Sequence, residues 1–347
     1  MGGNALKSTF TRRYEKKEFF VLWEELKEKL KSAFDTDVEL VVSLNNKEDF
    51  GDMDILVLNY GQIPRPEEIK KILEDEFNAN EVFRNSTIYS FDYKELQVDL
   101  IFTPTRNWET SQIFFAYNDL GNLMGKIFHK LGLSYGFEGL KYIYRINDSR
   151  ILEEFVVSKD MPKIFSFIGL SWERFQEGFD EVEDIFEYVI SSPYFEPSSF
   201  YLENLDQKNR KRNKKRKNYA LFVQYIEEKF GKDDKDRSKR YHYDPDKEKY
   251  WPMIHEHFKD DIDFLGKLEK LNKKEEYRLN VAAKYNGRII MELIPELSGA
   301  ELGRFIKDHR IYIPTEVYCS LDDVVYMNTA EDVKEMILKF YKNVWTK

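Results

Sequence analysis

The chain has 347 residues, of which 42% are hydrophobic and 16% aromatic, and its formal net charge is −9 at pH 7. This length allows two domains with sizeable cores, the apolar content excludes a disordered chain, and the acidic balance excludes a protein that attracts nucleic acid over its whole surface. The one cysteine, Cys319, excludes an internal disulfide framework, and no apolar run is long enough to span a membrane, so we expect a cytoplasmic protein without membrane contact.

The first third of the sequence predicts a small mixed sheet backed by helices. Residues 1–13 are polar and could form a flexible arm or an arm that docks over the active site; a flexible arm is the preferred expectation. Apolar residues then recur every three or four positions from 14 to 34, which is the pattern of an amphipathic helix. A second helix is expected to begin at Pro66, and strands are expected at 37–43, 52–59, 81–93 and 96–102. With a mainly helical remainder, this order predicts the α+β class.

Three aspartates stand in or beside these strands. Asp52 and Asp54 point to the same face of a strand, and the apolar residues between and after them point to the other. Asp99 lies in the otherwise apolar segment 96–102. If the two strands pair at ~4.8 Å, the carboxylates converge, and each unneutralised pair repels by roughly 4 kcal/mol. We therefore expect an oxygen-ligand cation site, which suits Mg²⁺ or Mn²⁺ bound together with substrate phosphates.

The spacing of these acids resembles the signature of the nucleotidyltransferase superfamily, which includes DNA polymerase beta, poly(A) polymerases and CCA-adding enzymes. That signature has Gly-Ser or Gly-Gly after a strand, a loop with a short helix, Asp-x-Asp or Asp-x-Glu, and a distant single Asp. Here Ser43 is followed, after eight residues, by Asp-Met-Asp at 52–54 and later by Asp99. The likeness covers roughly the first 105 residues, with Val42 where glycine is expected and a loop at the short end of the family's range.

The resemblance implies a metal-dependent transfer of a nucleoside monophosphate from a nucleoside triphosphate such as ATP, with release of pyrophosphate. Asp52, Asp54 and Asp99 would be the catalytic metal ligands, and Asp99 would also assist deprotonation of the attacking hydroxyl. Ser43 would contact the terminal phosphates from a helix N-terminus.

A long helix is expected from residue 110 to about 133. Gly121 and Gly125 lie on one of its faces, which indicates close packing against another backbone. In the superfamily that this chain resembles, the helix after the third Asp borders the nucleotide pocket. The resemblance therefore implies sugar or phosphate contacts for three residues: Asn122, Lys126 and Lys130. Residues 132–139 are expected to form a loop that either lines a base-stacking pocket or turns between domains.

After residue 148 the pattern is almost entirely helical, which predicts a catalytic domain at 1–148 and a helical, RNA- or substrate-binding domain at 149–347. In the second of these, ten consecutive residues, here called the basic run, carry eight positive charges and no acid: Lys208, Arg210, Lys211, Arg212, Lys214, Lys215, Arg216 and Lys217. Because it has no apolar residue, all of it is expected to be solvated, as an ordinary charged face, a tract like a nuclear-import signal or a phosphate-binding surface. Cations beside aromatic residues at 235–243 also suit single-stranded RNA.

Three functions remain open at this point. The first is template-independent nucleotide addition to an RNA 3′ end, in which the basic run holds the RNA. The second is transfer of a nucleotide to a small molecule or a protein; such enzymes are usually more compact and need no basic decapeptide. The third is a catalytically degenerate fold that serves as a binding module, which Val42 favours and the retention of all three acids opposes.

Overall fold

The alternating acidic and apolar residues at 52–57 belong to a strand inside a five-stranded mixed sheet. The computed structural model describes residues 5–61, 64–147, 150–231, 247–312 and 320–346. Cys319 and the segment 235–243 therefore lie outside the described residues. The mixed sheet in the first part of the chain and the many helices after it confirm the α+β class.

Within the described residues, strands β1 to β10 cover, in chain order, Tyr14–Glu15, Val38–Leu40, Asp49–Phe50, Asp52–Asn59, Val82–Asn85, Ile88–Tyr93, Leu96–Pro104, Leu133–Gly136, Gly139–Asn147 and Arg150–Ser158. Helices α1 to α15 cover Lys16–Phe34, Pro66–Phe77, Trp108–Phe115, Leu120–Lys130, Met161–Phe167, Trp172–Glu177, Val182–Ile190, Gln207–Asn213, Lys217–Phe230, Trp251–Phe258, Phe264–Lys284, Gly287–Leu293, Gly299–Tyr312, Leu321–Met327 and Ala330–Phe340. A π-helical turn, Tyr341–Trp345, follows α15.

The central sheet has the strand order β2-β4-β7-β6-β5. Strands β4 and β7 run parallel to each other, and the other neighbours are antiparallel. A parallel pair needs a crossover connection, which is supplied here by α2 together with the β5–β6 hairpin. The two strands that carry the aspartates are therefore direct neighbours at the centre of the sheet.

One face of this sheet packs on α1 and α2. The residues of this core from the two central strands include Met53, Ile55, Val98 and Leu100, all fully buried. Leu26 and Leu30 of α1, with Ile69 and Leu73 of α2, cover them. Each buried aliphatic side chain contributes roughly 1.5–3 kcal/mol to stability, so this packing fixes which face of each strand is turned away from the helices.

A second, three-stranded sheet has the order β10-β9-β8. The expectation that residues 132–139 form only a loop is wrong, because β8 lies within them and pairs with β9. Strand β10 likewise lies in a part of the chain that was expected to be helical. The alternating apolar residues Leu140, Tyr142 and Tyr144 of β9 fit the two-residue period of a strand.

The helix expected over 110–133 is divided in two. Helix α3 ends at Phe115 and α4 begins at Leu120, because Tyr117 and Asn118 adopt the left-handed conformation, with φ of 55° and 61°. Asparagine tolerates this conformation better than most residues. A Cβ on Gly121 would collide with the carbonyl oxygen of Phe114, which confirms close backbone packing at that glycine.

The N-terminal residues 5–13, here called the arm, are docked on the sheet rather than free, so the expectation of a flexible arm is wrong for them. The backbone N–H of Ala5 donates to Oε1 of Gln97 at 2.8 Å, and the N–H of Arg12 donates to the carbonyl oxygen of Glu95 at 2.7 Å. Leu6 is buried. Strand β1, which follows the arm, pairs with β3.

The chain divides into two compact units, Met1–Phe264 and Leu265–Lys347. The boundary expected at 148 lies between β9 and β10, which pair with each other. The second unit has its own core, in which Tyr285, Phe305 and Phe340 surround His309. In the described part of the chain, no helix combines the length and the apolar character that crossing a membrane would require.

His309 makes the stability of the second unit depend on pH. It is 1% exposed, stacks on Phe340 with ring centroids 4.4 Å apart, and contacts the Tyr285 hydroxyl through Nδ1 at 3.0 Å. Burial lowers the pKa of His309 from 6.5 to about 4, so the unfolded chain takes up the proton first. The contribution of uncharged His309 to the unfolding free energy is therefore complete above about pH 6.5. It should be lost as the pH falls toward 4, at up to ~1.4 kcal/mol per pH unit.

Urea unfolding followed between about pH 4 and 7 measures this dependence. In the His309→Gln variant, the unfolding free energy should change less across that pH range than it does in the wild type. A variant that keeps the wild-type slope would show that other groups carry it.

Candidate metal and phosphate site

The three aspartates lie on the face of the sheet opposite the helix-covered core. In the parallel β4–β7 pair, Asp54 is the register partner of Asp99, and Asp52 is the partner of Gln97. Their sequence neighbours Met53 and Val98 point into the core, as strand alternation requires. Because neighbouring strands lie ~4.8 Å apart, the convergence of the acids predicted from the sequence is confirmed.

Burial and mutual repulsion both act on these carboxyl groups. The pKa of Asp54 is raised well above its usual value, first by burial and then by the charges of Asp52 and Asp99. Burial raises the pKa of Asp99 to about 6, although hydrogen bonds from Ser90 and Gln97 oppose the rise. A positive charge placed among these groups would relieve both effects.

Lys47 supplies part of that positive charge. Burial lowers the pKa of its ammonium group, while the charges of Asp52 and Asp54 oppose the change. The same ammonium lies 4.3 Å from the ring centroid of Phe50. Lys47 is thus held between an aromatic ring and the acids.

The donor set suits a hard divalent cation. It consists of carboxylate oxygens on one face of adjacent strands, which are the ligands that Mg²⁺ and Mn²⁺ prefer. Among the residues that the structure describes, no three acidic, His or Cys side chains are already arranged as a metal-ligand cluster. The fit of Asp52, Asp54 and Asp99 to such an ion rests instead on the oxygen chemistry of their side chains and on their placement on neighbouring strands.

A cleft of about 580 Å³ opens over the acids. Its negatively charged lining residues are Asp49, Asp52, Asp54, Asp99 and Asp119. Its positively charged lining residues are Arg13, Lys47, Lys215, Arg216 and Lys217. The basic run was expected in a domain separate from the acids; its last three residues instead line the same cleft within the first unit.

Ser43 also lines the cleft, but it does not stand at a helix N-terminus. The described residues 41–48 form an extended segment and a turn, so the helix expected after Ser43 is absent there. The loop is held by backbone hydrogen bonds: Val42 O accepts from Tyr117 N at 2.9 Å, and Asn45 N donates to Phe179 O at 2.9 Å. Ser43 can therefore offer a hydroxyl to a ligand, without the dipole of a helix behind it.

The basic run is not uniformly solvated. Asn213, inside it, is 1% exposed, which contradicts the expectation that none of the run is buried. The guanidinium of Arg210 donates to the carbonyl oxygens of Leu202, Glu203 and Leu205 and so closes a turn. Other members of the run, among them Lys208, Lys211 and Lys214, are exposed and do not line the cleft.

The four remaining members of the basic run differ in whether an acid neutralises their charge: Arg212, Lys215, Arg216 and Lys217. Burial lowers the pKa of Arg212, assisted by Arg216 and opposed by Asp119. Arg216 forms an ion pair with Asp119. The ammonium groups of Lys215 and Lys217 make no hydrogen bond or ion pair with any residue in the described ranges, so they are open to an anionic ligand.

The three residues proposed on α4 lie away from the cleft lining. Asn122 donates to Oδ1 of Asn213 at 3.2 Å, and Lys130 pairs with Glu196 at 2.7 Å. Lys126 is buried, and burial lowers its pKa to about 8. The cleft is reached instead by residues just before α4, Asn118 and Asp119. Asn-Asp before a helical stretch, a common helix-start signal, was the sequence feature that could have indicated them.

No protein-family model matches the chain, and no curated protein matches it significantly. The function must therefore be inferred from the residues of the cleft.

Asp54 should lower the stability of the folded protein when no divalent cation is present. Replacing Asp54→Asn removes one charge from the repelling set, so the unfolding free energy at pH 7 in a chelator should hold or rise, by roughly 1 kcal/mol or more. Asp92 is a matched control, because its buried carboxylate accepts from Asn80 N, Glu81 N and Asn80 Nδ2 at 2.7–2.9 Å. Asp92→Asn should destabilise the protein. A destabilised Asp54→Asn variant would contradict the inferred repulsion.

Proposed function

We propose that the protein is a metal-dependent nucleotidyltransferase that adds nucleoside monophosphate from a nucleoside triphosphate to an RNA 3′ end and releases pyrophosphate. The observation that carries this proposal is that three aspartates on adjacent parallel strands face a cleft that is also lined by Lys215 and Lys217, whose ammonium groups make no hydrogen bond or ion pair with the described residues. Acids suited to a divalent cation and cations suited to phosphates thus meet in one space. The Asp-x-Asp motif and its spacing to Asp99 resemble the nucleotidyltransferase signature and support the same conclusion.

Asp52 and Asp54 would hold Mg²⁺ or Mn²⁺, and Asp99 would complete the ligand set. A bound divalent cation supplies charge neutralisation at the transferring phosphoryl group and at the attacking and leaving oxygens. As a member of this set, Asp99 would also assist deprotonation of the attacking hydroxyl. Lys47 would move its ammonium group toward substrate phosphate once the acids have another counterion.

The triphosphate would be bound by Lys215, Lys217 and the Ser43 hydroxyl, because all three line the cleft and neither ammonium group has a hydrogen bond or ion pair in the described part of the chain. Arg216 is held in place by Asp119 and would add to the positive potential without swinging freely. The exposed Lys208, Lys211 and Lys214 continue this charge beyond the cleft, where an RNA chain carries its phosphates.

One observation favours a second candidate, transfer of the nucleotide to a small molecule or a protein. The basic run was the reason to prefer RNA, but three of its cations line the cleft and Arg210 closes a turn. Those charges have uses that do not require a polyanionic acceptor. A degenerate binding module is the weaker alternative: Val42 stands where the family has glycine, yet its side chain is 49% exposed and leaves the three acids in place.

The central test of the proposal is nucleotide transfer itself. Full-length protein is incubated with each labelled nucleoside triphosphate, Mg²⁺ and mixed cellular RNA, and label transfer and pyrophosphate are measured. Replacing Asp52, Asp54 or Asp99 by Ala should reduce the rate to below about one-thousandth of wild type. Asp75→Ala, an exposed acid on α2, is the control and should keep the wild-type rate. Full activity of Asp99→Ala would contradict the assignment, and label on protein or on small molecules alone would favour the second candidate.

Two pairs of lysines separate triphosphate binding from RNA binding. The double change Lys215→Gln, Lys217→Gln should raise the KM for the triphosphate by about tenfold for each lost phosphate contact, at ~1.4 kcal/mol each. The matched double change Lys208→Gln, Lys211→Gln should leave that KM unchanged, because these residues lie outside the cleft. It should instead weaken RNA binding and flatten the slope of log K against log salt by ~0.7 per contact. Unchanged RNA affinity in the second variant would leave these lysines as solvated surface.

A further inference from the structure

Gln97 connects the acids to the N-terminal arm. It lies on β7, is 2% exposed, and its Nε2 donates to both carboxylate oxygens of Asp99, at 3.0 and 3.1 Å. Its Oε1 accepts from the backbone N–H of Ala5 at 2.8 Å and of Leu6 at 3.4 Å. One buried amide thus touches a candidate metal ligand at one end and the arm at the other.

The orientation of this amide is determined by its partners. If the side chain were rotated by half a turn, its NH₂ would face two backbone N–H groups and its oxygen would face a carboxylate. A buried donor or acceptor without a partner costs about 1–3 kcal/mol, so the rotated form is excluded. Gln97 therefore holds the Asp99 carboxylate in one position as long as the arm stays docked.

The arm is itself fixed at a second point. The carboxylate of Glu81 accepts from the backbone N–H groups of Lys7, Ser8 and Thr9 at 2.7–3.0 Å. Glu81 immediately precedes β5, which lies two strands from β7 in the sheet. Removal of Glu81 would therefore loosen the arm without touching Asp99 or Gln97.

We propose that Gln97 is a positioning residue that couples docking of the arm to metal binding by the aspartates. The inference rests on the proposed function in one respect, that Asp99 is a metal ligand. Docking of the arm orients Gln97, Gln97 orients Asp99, and the oriented carboxylate binds the cation more tightly. Coupling between two binding events is reciprocal, so the bound cation must also hold the arm in place more firmly. Removal or displacement of the arm by a protease or a partner protein would then weaken the metal site.

The experiment measures Mn²⁺ binding by full-length protein with electron paramagnetic resonance, together with hydrogen exchange of peptides that cover residues 5–13. Three variants test the contact of Gln97 with Asp99 and the docking of the arm. Gln97→Leu removes both ends of the connection. Gln97→Met removes the same contacts with an uncharged side chain of similar length. Glu81→Ala loosens only the arm, and Glu74→Ala, an exposed acid on α2, is its matched control.

Both Gln97 variants should bind Mn²⁺ at least about tenfold more weakly, as loss of a hydrogen bond to a metal ligand does. Glu81→Ala should weaken binding in the same direction and Glu74→Ala should not. In the wild type, Mn²⁺ should slow exchange of the arm amides, and this response should vanish in Gln97→Leu. If Gln97→Leu does not fold, Gln97→Met and Glu81→Ala carry the test.

Two results would overturn the proposal, and they can be told apart. Wild-type Mn²⁺ affinity in the Gln97 and Glu81 variants, with binding lost in Asp99→Ala, would refute the coupling and leave the proposed function intact. Absence of Mn²⁺ binding by the wild type would refute both.

Discussion

Repulsion between carboxylates on β4 and β7 is the constraint on which the first unit depends. Asp54 and Asp99 are register partners, and both carry pKa values raised by burial and by neighbouring negative charge. The opposing contribution comes from the reverse face, where apolar side chains of the same two strands are buried beneath α1 and α2. A few such side chains, at roughly 1.5–3 kcal/mol each, offset a repulsion of roughly 4 kcal/mol per pair. The core thus keeps together a group of acids that would separate in its absence.

The positively charged side of the cleft depends on the irregular backbone junction between α3 and α4. The left-handed residues Tyr117 and Asn118 end α3 and direct the chain so that Asp119 faces Arg216. The N–H of Tyr117 also holds the loop that contains Ser43, through Val42 O. One irregular junction therefore positions the loop, an acid and the end of the basic run relative to the sheet. The cleft is built by this junction as much as by the strands.

Local patterns in the sequence were sufficient to predict α1, α2, strands β2, β4 and β7 and the face that carries the aspartates, but the single strand expected at 81–93 is divided into β5 and β6. Periods of two and of three to four residues are set by neighbours along the chain, so they can be read without knowledge of tertiary contacts. The break before α4 could not be predicted in this way, because a left-handed pair leaves the helical periodicity on both sides intact. Docking of the arm involves backbone N–H groups, which have no side-chain signature, and acceptors far along the chain at Glu81 and Gln97. Convergence of the basic run with the acids is likewise a long-range contact.

The position of β7 in the sheet has a consequence for how the site is assembled and lost. Strands β5, β6 and β7 form a meander of local hairpins, whereas β4 belongs to the earlier segment with α1 and β2. The β4–β7 pairing joins these two halves, and non-local pairings of this kind are the slow ones in folding. Asp52 and Asp54 lie on β4, and Asp99 lies on β7. Separation of β4 from β7 therefore takes the acids apart, while each half of the sheet keeps its own hairpin or helix. The lifetime of the assembled site is thus set by this one strand pairing.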